Sequence, residues 1–324
     1  MASVCFRPTK IQRGRDVSRP YELNILWLLL LLIAACAPVA ASAPENPAYI
    51  TQTPRLLNGM VATQIPQTIN TPNPLVTQPT LPTMDVIALT PTLRADGSEI
   101  IGMSVEGRAI TAIRFGTGTR IVTLIGGIHG GWEANTVMLM EALIAHFRDN
   151  PEDIPVQTSI VIIPAANPDG LIRGRTPAGR FNANGVDLNR NWSCEWSPDA
   201  RWRDQAVNPG RAPMSEPETQ ALAAYLLRTR PAAALFFHSA ANGVFAGGCD
   251  GDHGSALLAR VFGEAAPYPF ESEFTAYPVT GTEAEWADGQ GIPAADVELI
   301  NATDMDFERN LRGVIAVLEW LAEG

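Results

Sequence analysis

The sequence predicts an α/β domain whose helices cover both faces of one sheet. Three observations carry this: short continuous apolar runs that suit strands buried on both faces, longer stretches of helical period, and the alternation of the two along the chain. The runs are residues 120–125 (RIVTLI), 159–163 (SIVII) and 232–237 (AAALFF). Helical patterns lie between and after them. Residues 136–147 form the first, and residues 216–228 the second, where Ser215 and Glu218 have capping-box spacing and Pro217 sits in the first turn. Residues 255–265 follow a Gly-rich loop at 247–254, and 305–322 put Phe307, Leu311, Val314, Leu318 and Leu321 on one stripe. The sequence contains no internal repeat.

The chain has 324 residues, 46% of them hydrophobic, enough to bury a large core and to exclude a wholly disordered protein. Lys and Arg number 23 against 34 Asp and Glu, a net charge of -11. That balance argues against nucleic acid as a partner. The first 36 residues are basic, so the remainder is more acidic still.

Those 36 residues have the plan of a secretory signal. A basic stretch precedes the apolar run 25–35, and Ile33-Ala34-Ala35-Cys36 has the form of a bacterial lipobox, in which Cys36 is lipidated and becomes the mature N-terminus. The run is short for a membrane span. Residues 44–83 then hold eight Pro and eight Thr, with only Glu45 and Arg55 charged. This composition reads as a linker, placed at 37–89, ahead of a catalytic domain at 90–324. The expectation is an exported protein held at a bacterial cell surface by a lipid, with a soluble secreted form as the alternative.

Chemistry gathers at the ends of the apolar runs. The first is followed by Gly126-Gly127-Ile128-His129-Gly130-Gly131-Trp132-Glu133, and the third ends in Phe237-His238-Ser239. Two His and one carboxylate at the C-terminal ends of strands could hold a tetrahedral zinc ion with its fourth position open. His146, on a helix among charged neighbours, and His253, in a loop, read as surface residues. Glu216 and Glu218 open a helix, where acids suit the dipole.

Seven landmarks in order give the chain a family likeness: Ser104-Val105-Glu106-Gly107-Arg108, the His129/Glu133 segment, Asn167-Pro168-Asp169-Gly170, Gly185-Val186-Asp187-Leu188-Asn189-Arg190-Asn191-Trp192, Ser215-Glu216-Pro217-Glu218-Thr219, Phe237-His238-Ser239 and Val297-Glu298-Leu299. From about Ile101 to its C-terminus the sequence resembles the zinc carboxypeptidases, or funnelins, which include digestive carboxypeptidases and bacterial murein-peptide amidases. The resemblance implies a three-layer α/β/α sandwich around a mixed, mostly parallel twisted sheet. It implies one zinc ion on His129, Glu133 and His238, with Glu298 taking a proton from the metal's water. Asn189 and Arg190 would hold a terminal carboxylate, a pairing that suits the planar guanidinium fork. Arg180 would polarise the scissile carbonyl, with Arg173 and Arg175 near enough in sequence to compete. Tyr277 matches the family's mobile tyrosine, and Trp286 keeps the register. One departure stands out: three residues separate His129 from Glu133 where the family has two, and the paired glycines are expected to absorb the extra one.

Ala284 falls at the family's main specificity position, between Glu283 and Glu285. A bare Ala implies a roomy apolar pocket, whereas either acid turned inward would favour Arg, Lys or the amine of diaminopimelate. With Cys5 and Cys36 in the signal, Cys194 and Cys249 are expected to form a disulfide in an exported protein. Three functions follow: a zinc carboxypeptidase acting on peptides, a hydrolase of cell-wall stem peptides, or a surface-tethered binding protein on a degenerate peptidase scaffold. The retention of both His, Glu298, Asn189 and Arg190 counts against the third.

Overall fold

The computed structural model describes residues 97–324; the signal segment, the lipidation candidate Cys36 and the linker up to residue 89 lie outside the described residues. In chain order the elements are β1 (Ser98–Met103), β2 (Ala109–Phe115), β3 (Arg120–Ile125), α1 (Ala134–Asp149), β4 (Thr158–Ile163), α2 (Pro168–Ile172), the short pair β5 (Arg201–Trp202) and β6 (Gln205–Ala206), α3 (Pro217–Thr229), β7 (Ala233–Ser239), β8 (Gly243–Ala246), α4 (Ser255–Ala265), β9 (Phe270–Glu271), α5 (Glu283–Gly289), β10 (Ala294–Leu299) and α6 (Phe307–Glu323). Eight strands form one mixed sheet in the order β1-β2-β4-β3-β7-β10-β8-β9. Its centre, β4-β3-β7-β10, is parallel, and antiparallel pairs flank it.

Strand alternation sorts the core into two halves. Val122, Leu124, Ile160, Ile162, Leu235 and Phe237 face one side, where they pack with Leu139 and Leu143 of α1, Phe262 of α4 and Val314 of α6. Ile121, Ile125, Val161, Ile163 and Phe236 face the other, against Leu222 and Leu226 of α3 and Trp286 of α5. The result is the expected three-layer α/β/α arrangement. Each buried Leu, Ile or Phe contributes roughly 1.5–3 kcal/mol on leaving water, and continuous apolar strands maximise their number.

The start of α3 differs from the capping box read in the sequence. The N-cap is Glu216, with no side-chain cap, and Ser215 Oγ donates to Glu216 Oε1 (2.7 Å). Glu218 cannot reach back, because its carboxylate accepts from the Val105 backbone N–H (3.0 Å) and Asn182 Nδ2 (3.1 Å). Tertiary donors outbid the local motif.

Parallel strands β3, β7 and β10 end at the same edge of the sheet. The segment after Ile125, the end of β7 and Glu298 therefore meet there, where open α/β sheets bind their ligands.

Candidate active site

Residues Gly130–Glu133 form a 3-10 turn between β3 and α1, and this turn absorbs the extra residue between His129 and Glu133. Gly130 has φ +43°, and a Cβ there would lie 2.6 Å from the Gly170 backbone; one at Gly131 would lie 2.5 Å from the Gly174 carbonyl oxygen. Only glycine allows this path. His238 comes from the end of β7, and its Nδ1 lies 3.2 Å from Glu133 Oε2. One donor atom from each of His129, Glu133 and His238 lies within 4.8 Å of the others, and the three residues are 3%, 4% and 2% exposed.

Carboxylates stand behind both imidazoles. Asp187 Oδ1 is 3.6 Å from His129 Nδ1, and Glu283 Oε1 is 2.5 Å from His238 Nε2. Burial, reinforced by Arg180, holds the His129 pKa well below the usual imidazole range, so this ring is neutral, as a metal ligand must be. Burial also disfavours a charged His238, but Glu283 and Glu133 outweigh it and raise its pKa well above that range. Positive charge is thus favoured between the two carboxylates. Two imidazoles and one carboxylate, buried and convergent, fit a tetrahedral zinc with one position open.

The remaining candidates line the same cleft, of about 830 Å³: Arg180, Asn189, Arg190, Tyr277, Ala284, Glu285 and Glu298. Arg180 donates from Nε (3.0 Å) and Nη2 (2.8 Å) to Asp187 Oδ2, and its Nη1 is 3.6 Å from Glu133 Oε1. Its guanidinium lies over the Trp202 ring, 4.5 Å from the centroid. Of the competitors, Arg173 is tied to the Asn182 carbonyl (2.9 Å) and does not line the cleft, whereas Arg175 lines it from an exposed position. Arg190 is fixed by donating to the carbonyls of Arg201 (Nε, 2.9 Å) and Asn189 (Nη1, 2.5 Å). Asn189 Oδ1 is buried without a partner. Glu298 Oε2 accepts from the Ala241 N–H (3.0 Å), and burial, with Glu133 nearby, pushes its pKa up to about 7.

His146 pairs with Asp153 (2.7 Å) and His253 with Asp288 (3.0 Å), both away from the cleft. Two carboxylates near the ligands, Asp187 and Asp296, have no role in the sequence analysis, and a third, Glu283, has a different one there. Asp187 stands two residues before Asn189 and 3.6 Å from His129, and a carboxylate beside a metal-binding histidine is a recurring arrangement, but nothing local in the sequence points it at a residue 58 positions earlier. Asp296 lines the cleft two residues before Glu298 on the same strand, so strand period alone could have marked it. Glu283 was considered only as a pocket acid; its bond to a histidine 45 residues away has no local signal.

Cys194 and Cys249 are joined by a disulfide across 55 residues. The bridge flanks α5: the Cys194 carbonyl accepts from the Gly281 N–H (3.0 Å), and Cys249 packs where a Cβ on Gly289 would lie, 2.9 Å away. A Cys194→Ser, Cys249→Ser double variant is expected to lose about 4 kcal/mol of stability on the loop-entropy estimate. Chemical denaturation of oxidised parent and variant measures this; equal midpoints would contradict it.

Residues 97–252 match the family model described as zinc carboxypeptidase. This stretch includes His129, Glu133, Asn189, Arg190 and His238 and stops before Tyr277 and Glu298. Over 114 residues the chain is 42% identical to carboxypeptidase E of Caenorhabditis elegans, covering 28% of this chain and 24% of that protein. Over 153 residues it is 33% identical to murein peptide amidase A of Escherichia coli strain K12, covering 44% of this chain and 59% of that protein. The chain thus spans about a quarter and about three-fifths of these two relatives' lengths. Among solved structures, carboxypeptidase A of Helicoverpa armigera aligns with a TM-score of 0.60 at 19% identity, over 70% of this chain and 68% of that one. That likeness is one of fold.

Proposed function

We propose, from the match of residues 97–252 to the zinc carboxypeptidase family model, that the chain belongs to that family and is a zinc metallopeptidase that hydrolyses the last peptide bond of a substrate and releases its C-terminal residue. The observation that carries the reading is convergence: His129, Glu133 and His238 within 4.8 Å, in a cleft also lined by Glu298, Arg180, Asn189 and Arg190. Zinc held by those three residues would supply Lewis-acid polarisation and lower the pKa of water. Arg190, immobilised by two carbonyls, pairs with the substrate's terminal carboxylate and sets the scissile bond in register. Glu298 accepts the proton of the attacking water and returns it to the departing amine. Arg180, already oriented by Asp187, stabilises negative charge developing on the carbonyl oxygen. The test is hydrolysis of a defined peptide by the full chain, with zinc counted per chain. One zinc, release of a single C-terminal residue and loss of activity on chelation support the reading; release of internal fragments would overturn it.

A second reading, hydrolysis of cell-wall stem peptides, is favoured by the 33% identity to a protein named as a murein peptide amidase. Incubation with muropeptides separates the two. Export with a lipid on Cys36 is supported by the Cys194–Cys249 disulfide, a bond of oxidising compartments. Lipid labelling of the parent and of Cys36→Ser tests it, and label that persists in the variant excludes that attachment site.

Glu283 extends the mechanism outward from the metal. Its bond to His238 Nε2 fixes the ring with Nδ1 toward Glu133. Glu283→Ala should weaken zinc binding by about 10- to 100-fold, and Glu283→Gln, which keeps an acceptor, by less. Competition with a chromogenic chelator reads this directly. Equal zinc affinity in parent and Glu283→Ala would mean that the bond does not support the ligand.

A further inference from the structure

We propose that Trp202 is a positioning residue whose indole, backed by Trp132, holds the Arg180 guanidinium in the orientation from which it reaches the carbonyl oxygen of the bond to be cut. The task given to Arg180 rests on the carboxypeptidase reading, whereas the brace rests on contacts within the chain.

Arg180 is 3% exposed, and its close bonds both converge on one atom, Asp187 Oδ2, from Nε (3.0 Å) and Nη2 (2.8 Å). The second oxygen of Asp187 is engaged elsewhere: Oδ1 accepts from the Asn189 backbone N–H (3.2 Å) and lies 3.6 Å from His129 Nδ1. Arg180 Nη1 is 3.6 Å from Glu133 Oε1, beyond hydrogen-bond distance. Bonds that meet at a single oxygen let a guanidinium swing about it, a motion that the two-oxygen fork prevents. The Trp202 ring supplies the missing constraint, with Arg180 Cζ over it at 4.5 Å from the centroid, within cation–π reach. Arg203 is farther from the same ring, at 5.7 Å, and is exposed.

Trp202 needs support of its own. It stands on β5, where Arg201 pairs with Ala206 and Trp202 with Gln205, and so short a ribbon is not stable by itself. Two contacts dock it. Arg190 Nε donates to the Arg201 carbonyl (2.9 Å), and the Trp132 ring meets the Trp202 ring edge-on, with centroids 5.7 Å apart and planes at 85°. Trp132 is the last of the three residues between His129 and Glu133, in the turn that Gly130 and Gly131 make possible. The longer spacing thus places an aromatic side chain beside the ribbon. Both indoles are half-buried and line the cleft, yet neither belongs to either half of the hydrophobic core, so core packing does not account for them.

The experiment compares the zinc-loaded full chain with Trp202→Leu, Trp202→Thr and Trp202→Phe on matched peptides. Removing the ring should lower kcat by roughly 10- to 100-fold, while KM and the preference for free-acid over amidated peptides change by less than about twofold, because a misplaced polariser weakens the transition state and not binding at Arg190. Trp202→Phe keeps an aromatic face and should recover most of kcat. In an Arg180→Ala background, Trp202→Leu should lower kcat by no more than about a further twofold, and every Trp202 variant should hold one zinc. Parent-like kcat in Trp202→Leu overturns the inference. A loss carried by KM, or one that varies with the residue before the scissile bond, makes Trp202 a wall of the substrate cleft and overturns it too. So does a loss that persists in full after Arg180→Ala or that accompanies loss of zinc. All of these leave the carboxypeptidase reading standing. Rigidity gives a second measurement that needs no turnover. The Arg180 Nε–H resonance, assigned by its absence in Arg180→Lys, should show an order parameter near about 0.85 in the parent and below about 0.6 in Trp202→Leu. Trp202→Thr, suited to a half-buried strand position, takes its place if that variant does not fold. If the parent hydrolyses no peptide, the carboxypeptidase reading fails and rigidity alone decides: order lost with the ring supports the brace, and a mobile parent or equal order overturns it.

Discussion

Glu298→Gln is expected to bind one zinc as the parent does and to lose turnover by roughly 10²- to 10⁴-fold. The two effects separate because Glu298 is outside the group His129, Glu133 and His238 yet lines the same cleft. Gln is nearly isosteric and still offers an acceptor to the Ala241 N–H, so the fold should persist, but an amide cannot take a proton from water. His238→Ala, by contrast, should lose zinc and turnover together. The pH dependence carries the same signature. A general base works only when ionised, so kcat/KM should fall as pH drops through the pKa of Glu298. Burial places that pKa at about 7 in the metal-free site, and a bound cation favours the carboxylate and lowers it, so the acid limb should lie on the acid side of 7. The limb should vanish in the residual activity of Glu298→Gln. Parent-like turnover in that variant would assign the base elsewhere.

Arg190→Ala should reduce kcat/KM on free-acid peptides by on the order of 100-fold or more, chiefly through KM, because a buried guanidinium paired with a carboxylate is removed and the substrate's charge is left without a partner. C-terminally amidated peptides never present that charge, so the variant should treat them much as the parent does. The structure makes Arg190 a fixed partner, 2% exposed and donating to the carbonyls of Arg201 and Asn189. Little side-chain entropy remains to be lost on binding, which is the condition for a large effect. Comparing initial rates on matched acid and amide peptides measures it. Equal losses on both would mean that the cleft does not read a chain terminus.

Much of this was legible in the sequence. The run 120–125 is β3, residues 159–163 fall within β4 (Thr158–Ile163), and the helical stretches at 136–147, 255–265 and 305–322 correspond to α1, α4 and α6. Their signals are local: continuous apolar strands and 3.6-residue stripes follow from which faces are buried, and burial leaves its period in the sequence. The ligand candidates were legible for a related reason, since each stands in a contiguous motif at the end of a strand. Short elements were not. α5 is seven residues long, rich in acids, and ends at Gly289, while β8 and β9 have four and two residues; such lengths carry no reliable period.

Only the tertiary structure decided how the carboxylates divide their roles. Parallel pairing of β10 with β7 sets Glu298 opposite His238, and through alternation it brings Asp296 to the same cleft. Docking of α5 then turns Glu283 onto His238 and leaves Glu285 facing the cleft. In sequence Glu283 and Glu285 are near-equivalent neighbours of Ala284. One is buried behind a metal ligand and the other lines the pocket because the bearing of a helical side chain is set by the surface the helix packs on, and that surface is built from strands far away in the chain.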